Sequence, residues 1–217
     1  MVAVPMKSEY GPTLGQLLAP RWQRATRRGR WAAMGLGAAL LAAAIGLGLT
    51  LENARYSHGA PVPFSFSYRG LFRVHPDPGG YVKVQSRDDD GALKYSYAVD
   101  PLRIPRYSGE LFGELPLYAA GYIHTLQHRD RGFVLRGEGK TRVNTHLVGY
   151  QVLYTAEVEG REMYGRDVLL LPSSKGAREG VDIVMLTSTT ATTQVTSPLE
   201  VAGTGVLLRP LKTFSFG

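Results

Sequence analysis

The sequence predicts an α+β fold, a mainly antiparallel sheet sandwiched by helices, preceded by one transmembrane helix. Three observations predict it. From residue 62 onward apolar residues recur with a period of two, in short runs joined by hairpin turns. Two segments among those runs carry helix-start signals. Ahead of them, Trp31 to Leu51 reads WAAMGLGAALLAAAIGLGLTL, 21 residues without a charge.

The elements follow in chain order. Residues 1–30 form a basic arm. Within it Leu14, Leu17, Leu18 and Trp22 fall on one face of a short helix, which would suit a membrane surface or a docking peptide; a disordered tail is the competing reading. Residues 31–51 form the membrane span: at 1.5 Å per residue a helix of that length covers roughly 30 Å, the hydrocarbon thickness of a bilayer. A buried helix of a soluble domain seldom runs so far without a polar face. A signal peptide cleaved near Ala54 is the other alternative, although the apolar run is longer than the 7–15 residues of a signal core.

Arg21, Arg24, Arg27, Arg28 and Arg30 crowd the side before the span, while Glu52 and Arg55 after it are balanced. The side richer in basic residues stays cytoplasmic, and each such charge beside an anionic leaflet is worth about 1 kcal/mol. These arginines, with Trp31 at the interface, predict a cytoplasmic N-terminus and an extracytoplasmic C-terminal domain at the cell membrane. The bilayer is thus the first expected partner.

Charge also decides against nucleic acid. The chain of 217 residues carries 25 Lys+Arg against 18 Asp+Glu, a net +7 that by itself suits a polyanion. But residues 1–56 hold seven basic and two acidic residues, +5 of that total, and the rest of the chain is close to neutral. The basic excess is a topology signal of the arm. The chain has no cysteine, which excludes disulfides, thiolate metal centres and a thiol nucleophile. Arginine (19) far outnumbers lysine (6), and Ala and Gly are abundant, which points to a GC-rich bacterial genome.

Residues 52–61 read as a linker into the outer domain, 62–217. Val62–Tyr68, Leu71–His75, Tyr81–Gln85 and Ala92–Val99 read as strands, the last two joined by the hairpin turn Asp88-Asp89-Asp90-Gly91. Pro101, Pro105 and Gly109 mark irregular chain. Leu115–Arg129 is a helix, with Pro116 in its first turn and Leu115, Ala119, Tyr122 and Leu126 as its apolar stripe. Phe133–Val143, Leu147–Val158, Arg161–Leu171 and Val181–Thr190 are strands, with Glu159-Gly160 a two-residue hairpin connection. Ser197-Pro198-Leu199-Glu200 has the form of a capping box and predicts a helix of about ten residues. Leu211–Phe216 closes the chain as a strand. About 160 residues bury roughly 70% of such a chain's surface, enough for a core without disulfides.

Several of these runs resemble the PsbP-like family, whose fold is shared with the Ran-binding Mog proteins. The matching stretches are Tyr68-Arg69-Gly70-Leu71-Phe72-Arg73-Val74-His75-Pro76, Val143-Asn144 with Gly149-Tyr150-Gln151-Val152-Leu153-Tyr154, Tyr164 to Pro172, Gly180 to Leu186, and Thr213-Phe214-Ser215-Phe216. The resemblance covers about residues 62–216. It departs after Pro76, where the family often has a Trp and this chain has Gly79-Gly80-Tyr81. It implies a sheet sandwiched between helices and a non-catalytic accessory that docks on other proteins. It transfers no metal-binding or partner-binding residue.

The chemistry-bearing candidates are few. His124 and His128 lie four apart on the predicted helix and share a face, a spacing that can place two imidazoles on one metal. Thr125 stands where a metalloprotease helix needs Glu. Asp88 and Asp90 could attract a hard cation, but the turn lacks the spacing of a calcium loop. There is no Gly-x-Ser-x-Gly elbow, and Gly137-Glu138-Gly139 lacks the Lys-Ser/Thr of a phosphate loop. No cofactor is expected. The sequence therefore predicts a single-pass, membrane-anchored extracytoplasmic accessory module, non-catalytic, docking on an envelope or membrane protein. A small-ligand or metal-binding outer domain is the alternative.

Overall fold

The computed structural model describes residues 35–39, 53–174, 176–191 and 194–217. The chain divides into two units, Met1–Thr50 and Leu51–Gly217. In the first, residues 35–39 are helical and exposed. The topology residues Arg21, Arg24, Arg27, Arg28, Arg30 and Trp31 lie outside the described residues, as does the predicted span apart from 35–39. Among the described residues no helix is long and apolar enough to cross a membrane, so the predicted transmembrane helix finds no support there.

The second unit is an α+β domain built mostly of antiparallel sheet. Its strands are β1 (Asn53–His58), β2 (Phe64–Arg69), β3 (Arg73–His75), β4 (Val82–Arg87), β5 (Leu93–Arg103), β6 (Val134–Val143), β7 (Leu147–Val158), β8 (Arg161–Leu170), β9 (Glu179–Ser188) and β10 (Ser215–Phe216). Helix α1 (Leu111–Arg129) joins β5 to β6, and α2 (Leu208–Thr213) precedes β10. The main sheet has seven strands in the order β3-β4-β5-β9-β8-β7-β6, and a second sheet has three, β1-β2-β10. All pairings are antiparallel.

Alternation along the strands sends apolar side chains to both faces of the main sheet. On one face Leu115, Ala119, Ile123 and Leu126 of α1 pack over Val152, Tyr154, Ala156 and Leu169. On the other, Phe64 and Phe66 of β2, with Leu211 and Phe214 near the C-terminus, cover Val84, Tyr97, Val168 and Ile183. Helices therefore do not sandwich the sheet: a helix covers one face, and a small sheet with the short α2 covers the other.

Local chemistry explains where the elements agree with expectation and where they move. Glu159 and Gly160 both take left-handed backbone, φ +51° and +75°, as a tight hairpin twisted to match its strands requires. The residues read as a linker contain β1, paired with β2 from Asn53↔Arg69 to His58↔Phe64. Strand β5 continues through Pro101, which sequence had marked as irregular. Its neighbour β4 stops pairing at Val99, so the side of Pro101 without an N–H faces no strand, while Pro101 pairs with Val181 of β9 on the other.

Helix α1 begins one turn earlier than predicted, with Pro116 inside it. The predicted helix after Ser197 reduces to a 3₁₀ turn, Pro198–Glu200. Ser197 makes no capping bond. Glu200 instead accepts from the Thr196 N–H at 2.6 Å and the Thr196 hydroxyl at 3.0 Å. Pro210, predicted to end that helix, sits in the first turn of α2, where its missing N–H is not needed. That displaces most of the predicted last strand, leaving Ser215–Phe216.

Candidate functional site

Two features of the second unit concentrate polar chemistry. The first lies under α1. Asp167 of β8 is fully buried and accepts hydrogen bonds from the Tyr122 hydroxyl of α1 at 2.6 Å and the Tyr154 hydroxyl of β7 at 3.0 Å. On the adjacent β9, Asp182 pairs across the sheet with Leu169 on one side and Asp100 on the other, and one of its carboxyl oxygens is buried without a partner. Burial raises the pKa of both acids; the neighbouring charge of Asp182 adds to the rise at Asp167, and that of Asp100 adds at Asp182, which reaches about 7. Burial, with the facing Asp167 next, also pushes Tyr122 and Tyr154 well above the ordinary tyrosine range. Gly165 makes room for this network: a Cβ there would run into the Tyr154 ring. The network ties helix to sheet, with Asp167 and Tyr154 buried and Tyr122 partly buried.

The second feature is a cleft of about 630 Å³ at one end of the main sheet. Its walls are the chain after β5, the start of α1, the β6–β7 turn and the β8–β9 loop. Tyr107, Leu111, Val148, Leu171 and Pro172 supply apolar surface, and Ser108, Glu110, His146, Ser173 and Ser174 supply polar groups. Two loops of the wall are stitched together. The Ile104 N–H donates to the Arg178 carbonyl at 2.9 Å, Arg178 Nε donates to the Ile104 carbonyl at 3.3 Å, and the Tyr107 hydroxyl donates to the Ala177 carbonyl at 3.2 Å. The opening is thereby preformed, with apolar and polar side chains in similar number along its walls.

The residues singled out from sequence are placed elsewhere. His124 and His128 are exposed on α1, with their Nε2 atoms 3.3 Å apart. The predicted shared face is present, but among the described residues no group of three His, Cys, Asp or Glu side chains is placed to hold a metal. Replacing both by Ala is expected to leave the urea unfolding midpoint unchanged, as for exposed positions generally.

Asp88 and Asp90 sit in the β4–β5 hairpin turn. Asp88 accepts from the Ala92 N–H at 2.8 Å and pairs with Arg161 of the β7–β8 hairpin at 2.6 Å, and alongside it Arg87 grips Glu159 through two 2.8 Å bonds. The hydrogen bond from Arg161 holds the Asp88 carboxyl below the usual carboxylate range. Asp88 therefore joins two hairpins. Sequence reading missed Asp167 and Asp182. Their signal is an acid inside an apolar strand run, Val181-Asp182-Ile183-Val184 and Arg166-Asp167-Val168-Leu169.

The class these elements define is an α+β domain with a long antiparallel sheet, one helix-covered face and an end cleft. No family model matches the chain, and no curated protein matches it. Among solved structures, it is similar to LpqN of Mycobacterium tuberculosis, described as involved in cell envelope biogenesis. The TM-score is 0.52 at 11% identity, over 76% of this chain and 91% of LpqN. A second similar structure is PA94 of Pseudomonas aeruginosa, a protein of unknown function, with a TM-score of 0.34 at 15% identity over 64% of this chain and 85% of that one; a likeness so low carries no argument. The likeness to LpqN is one of fold. It is consistent with the fold that the PsbP-like resemblance implies, and no family model confirms that resemblance.

Proposed function

We propose that the chain is a single-pass, membrane-anchored accessory module of the bacterial cell envelope, with a PsbP-like outer domain that docks on an envelope or membrane protein through its end cleft. The observation that carries the reading is the cleft itself, whose loops are held together before any partner arrives and whose lining mixes apolar side chains with a few hydroxyls. The fold shared with LpqN supports an envelope setting. The arginine-flanked apolar run supports the anchor, the cytoplasmic N-terminus and the extracytoplasmic placement.

The alternative, a small-ligand site, uses the same cleft: its volume falls in the roughly 300–1,000 Å³ range of small-molecule sites. The metal-binding form of that alternative would build on His124 and His128 of α1 or on Asp88 and Asp90 of the β4–β5 turn, with no group of three ligands among the described residues.

Protease treatment of spheroplasts tests the placement. The outer domain is expected to be digested from outside while a tag on the N-terminus survives until the membrane is opened; protection of the outer domain in intact spheroplasts would defeat the reading. A photo-crosslinking side chain at Val148 in the full chain tests the cleft. Crosslinks to one envelope protein are expected, and they should vanish when Leu111→Glu charges the apolar wall. Crosslinks that persist unchanged would place docking elsewhere.

A further inference from the structure

On the face of the sheet away from α1, the β6–β7 turn borders a second opening, of about 450 Å³, that differs in chemistry from the cleft. Arg166 in the middle of β8 and Lys212 on α2 border it, and the end of β6 closes its rim. Its lining contains no carboxylate, and among the described residues neither of these two cations is in an ion pair. Val143, Ala202, Leu208 and Leu211 supply an apolar wall.

Arg166 is the telling member. It follows the alternation that sends Val168 and Leu170 into the core, and only 9% of it is exposed. Its guanidinium donates to two neutral acceptors, the Val201 carbonyl at 2.9 Å and the Thr141 hydroxyl at 3.1 Å, and its Nε is buried with no partner. Burial lowers its pKa, the direction expected of a cation taken out of water. A buried charge without a counter-charge is costly, and proteins almost always supply one. Here the opening holds a second cation, Lys212, and no acid.

The geometry points to this opening as an anion site, taking the phosphate group of a small phosphorylated ligand or a lipid headgroup between Arg166 and Lys212, with the ligand's carbon portion against Leu208 and Leu211. A planar guanidinium is suited to phosphate oxygens, and a lysine adds a point charge. The site is independent of the end cleft and stands whether or not docking occurs there.

The test uses the full chain in a non-ionic detergent, titrated by calorimetry with inorganic phosphate, with short-chain phosphatidic acid, and with short-chain phosphatidylcholine as the zwitterionic control. Phosphatidic acid or inorganic phosphate is expected to bind, with affinity falling as salt rises and the zwitterionic control much weaker. Tighter binding of phosphatidic acid than of phosphate assigns a lipid source; equal binding assigns a free phosphorylated ligand.

Lys212→Gln changes one exposed side chain and should fold as wild type while losing at least about fivefold in affinity. Arg166→Lys, which keeps the charge but not the fork, should also weaken binding. Absence of binding by both phosphate probes, equal binding of phosphatidylcholine, or affinity unchanged in Lys212→Gln would overturn the assignment.

Discussion

Asp182→Asn is expected to reduce the pH dependence of the domain's stability between about pH 4 and pH 7. An unfolded aspartate titrates near 3.9, whereas burial and the adjacent Asp100 hold Asp182 at about 7 in the folded domain. Between those values the folded state keeps a proton that the unfolded state has released. Stability then falls as pH rises, by up to about 1.4 kcal/mol per pH unit, or roughly 4 kcal/mol across the window. Asp167 shifts in the same direction and adds to the slope.

The surface acids act oppositely. Asp88 and Glu159 are held below the usual range by Arg161 and Arg87, so their contribution is present above the ordinary carboxylate pKa and is lost only as pH falls below it. The wild-type domain should therefore be most stable in mild acid, near pH 5, and weaken toward pH 8. Urea unfolding of the full chain from pH 5 to 8, followed by circular dichroism, measures this. In Asp182→Asn the curve should flatten, and at pH 8 the variant should unfold at higher urea than wild type. A wild-type stability that is level or rises over that range would contradict the assignment.

Phe214→Ala is expected to cost about 3–5 kcal/mol, the usual loss when a fully buried aromatic side chain is truncated in a core. Phe214 is completely buried, its ring 5.6 Å from Phe64 and 5.4 Å from Phe216. It belongs to the cluster in which Phe64 and Phe66 of the small sheet meet Tyr97 of the large one. Removing it takes away the contact by which the C-terminal segment holds the two sheets together. The Asn144 side-chain amide, which donates to the Phe214 carbonyl at 3.2 Å, would lose its fixed partner as the segment loosens. Phe214→Leu, which keeps most of the volume, should cost less. Equal unfolding free energies for wild type and Phe214→Ala would show that the C-terminus is dispensable to the core.

The parts of this fold that sequence made legible are those where one local signal decides. Glu159-Gly160 and Asp88 to Gly91 carry turn chemistry that no other structure uses as well, so the hairpins and the strands beside them were readable within a few residues. Asp182 was not, because β9 lies in the middle of the sheet with both faces covered. Period-two alternation vanishes there, and a lone acid in Val181-Asp182-Ile183 carries no mark of which face it takes. Strand β1 was read as linker because Asn53–His58 alternates exposed with half-buried residues and holds no fully buried one.

Near the C-terminus, the pattern at Ser197 promised a helix that Gly203 and Gly205 did not continue, and Pro210 served to begin a helix instead of ending one. The end cleft and the arginine-lined opening were out of reach for a different reason. Each is assembled from loops or elements far apart in the chain, and no local run encodes their meeting.

Strand β6 has one further consequence. It is the outer edge of the seven-stranded sheet, ten residues long, with a row of backbone groups that face no neighbouring strand. Val134 and Leu135 at its start are exposed, and an edge of this length invites another extended chain to add itself. The remainder of the strand resists that. Arg136, Glu138, Lys140 and Arg142 follow at every second position, all exposed, so an incoming strand would have to bury or match four charges of mixed sign. The pairing register with β7 also shifts between Leu135 and Gly137, which bends the edge away from a flat template. A protein crowded beside copies of itself would depend on such an edge to remain unaggregated.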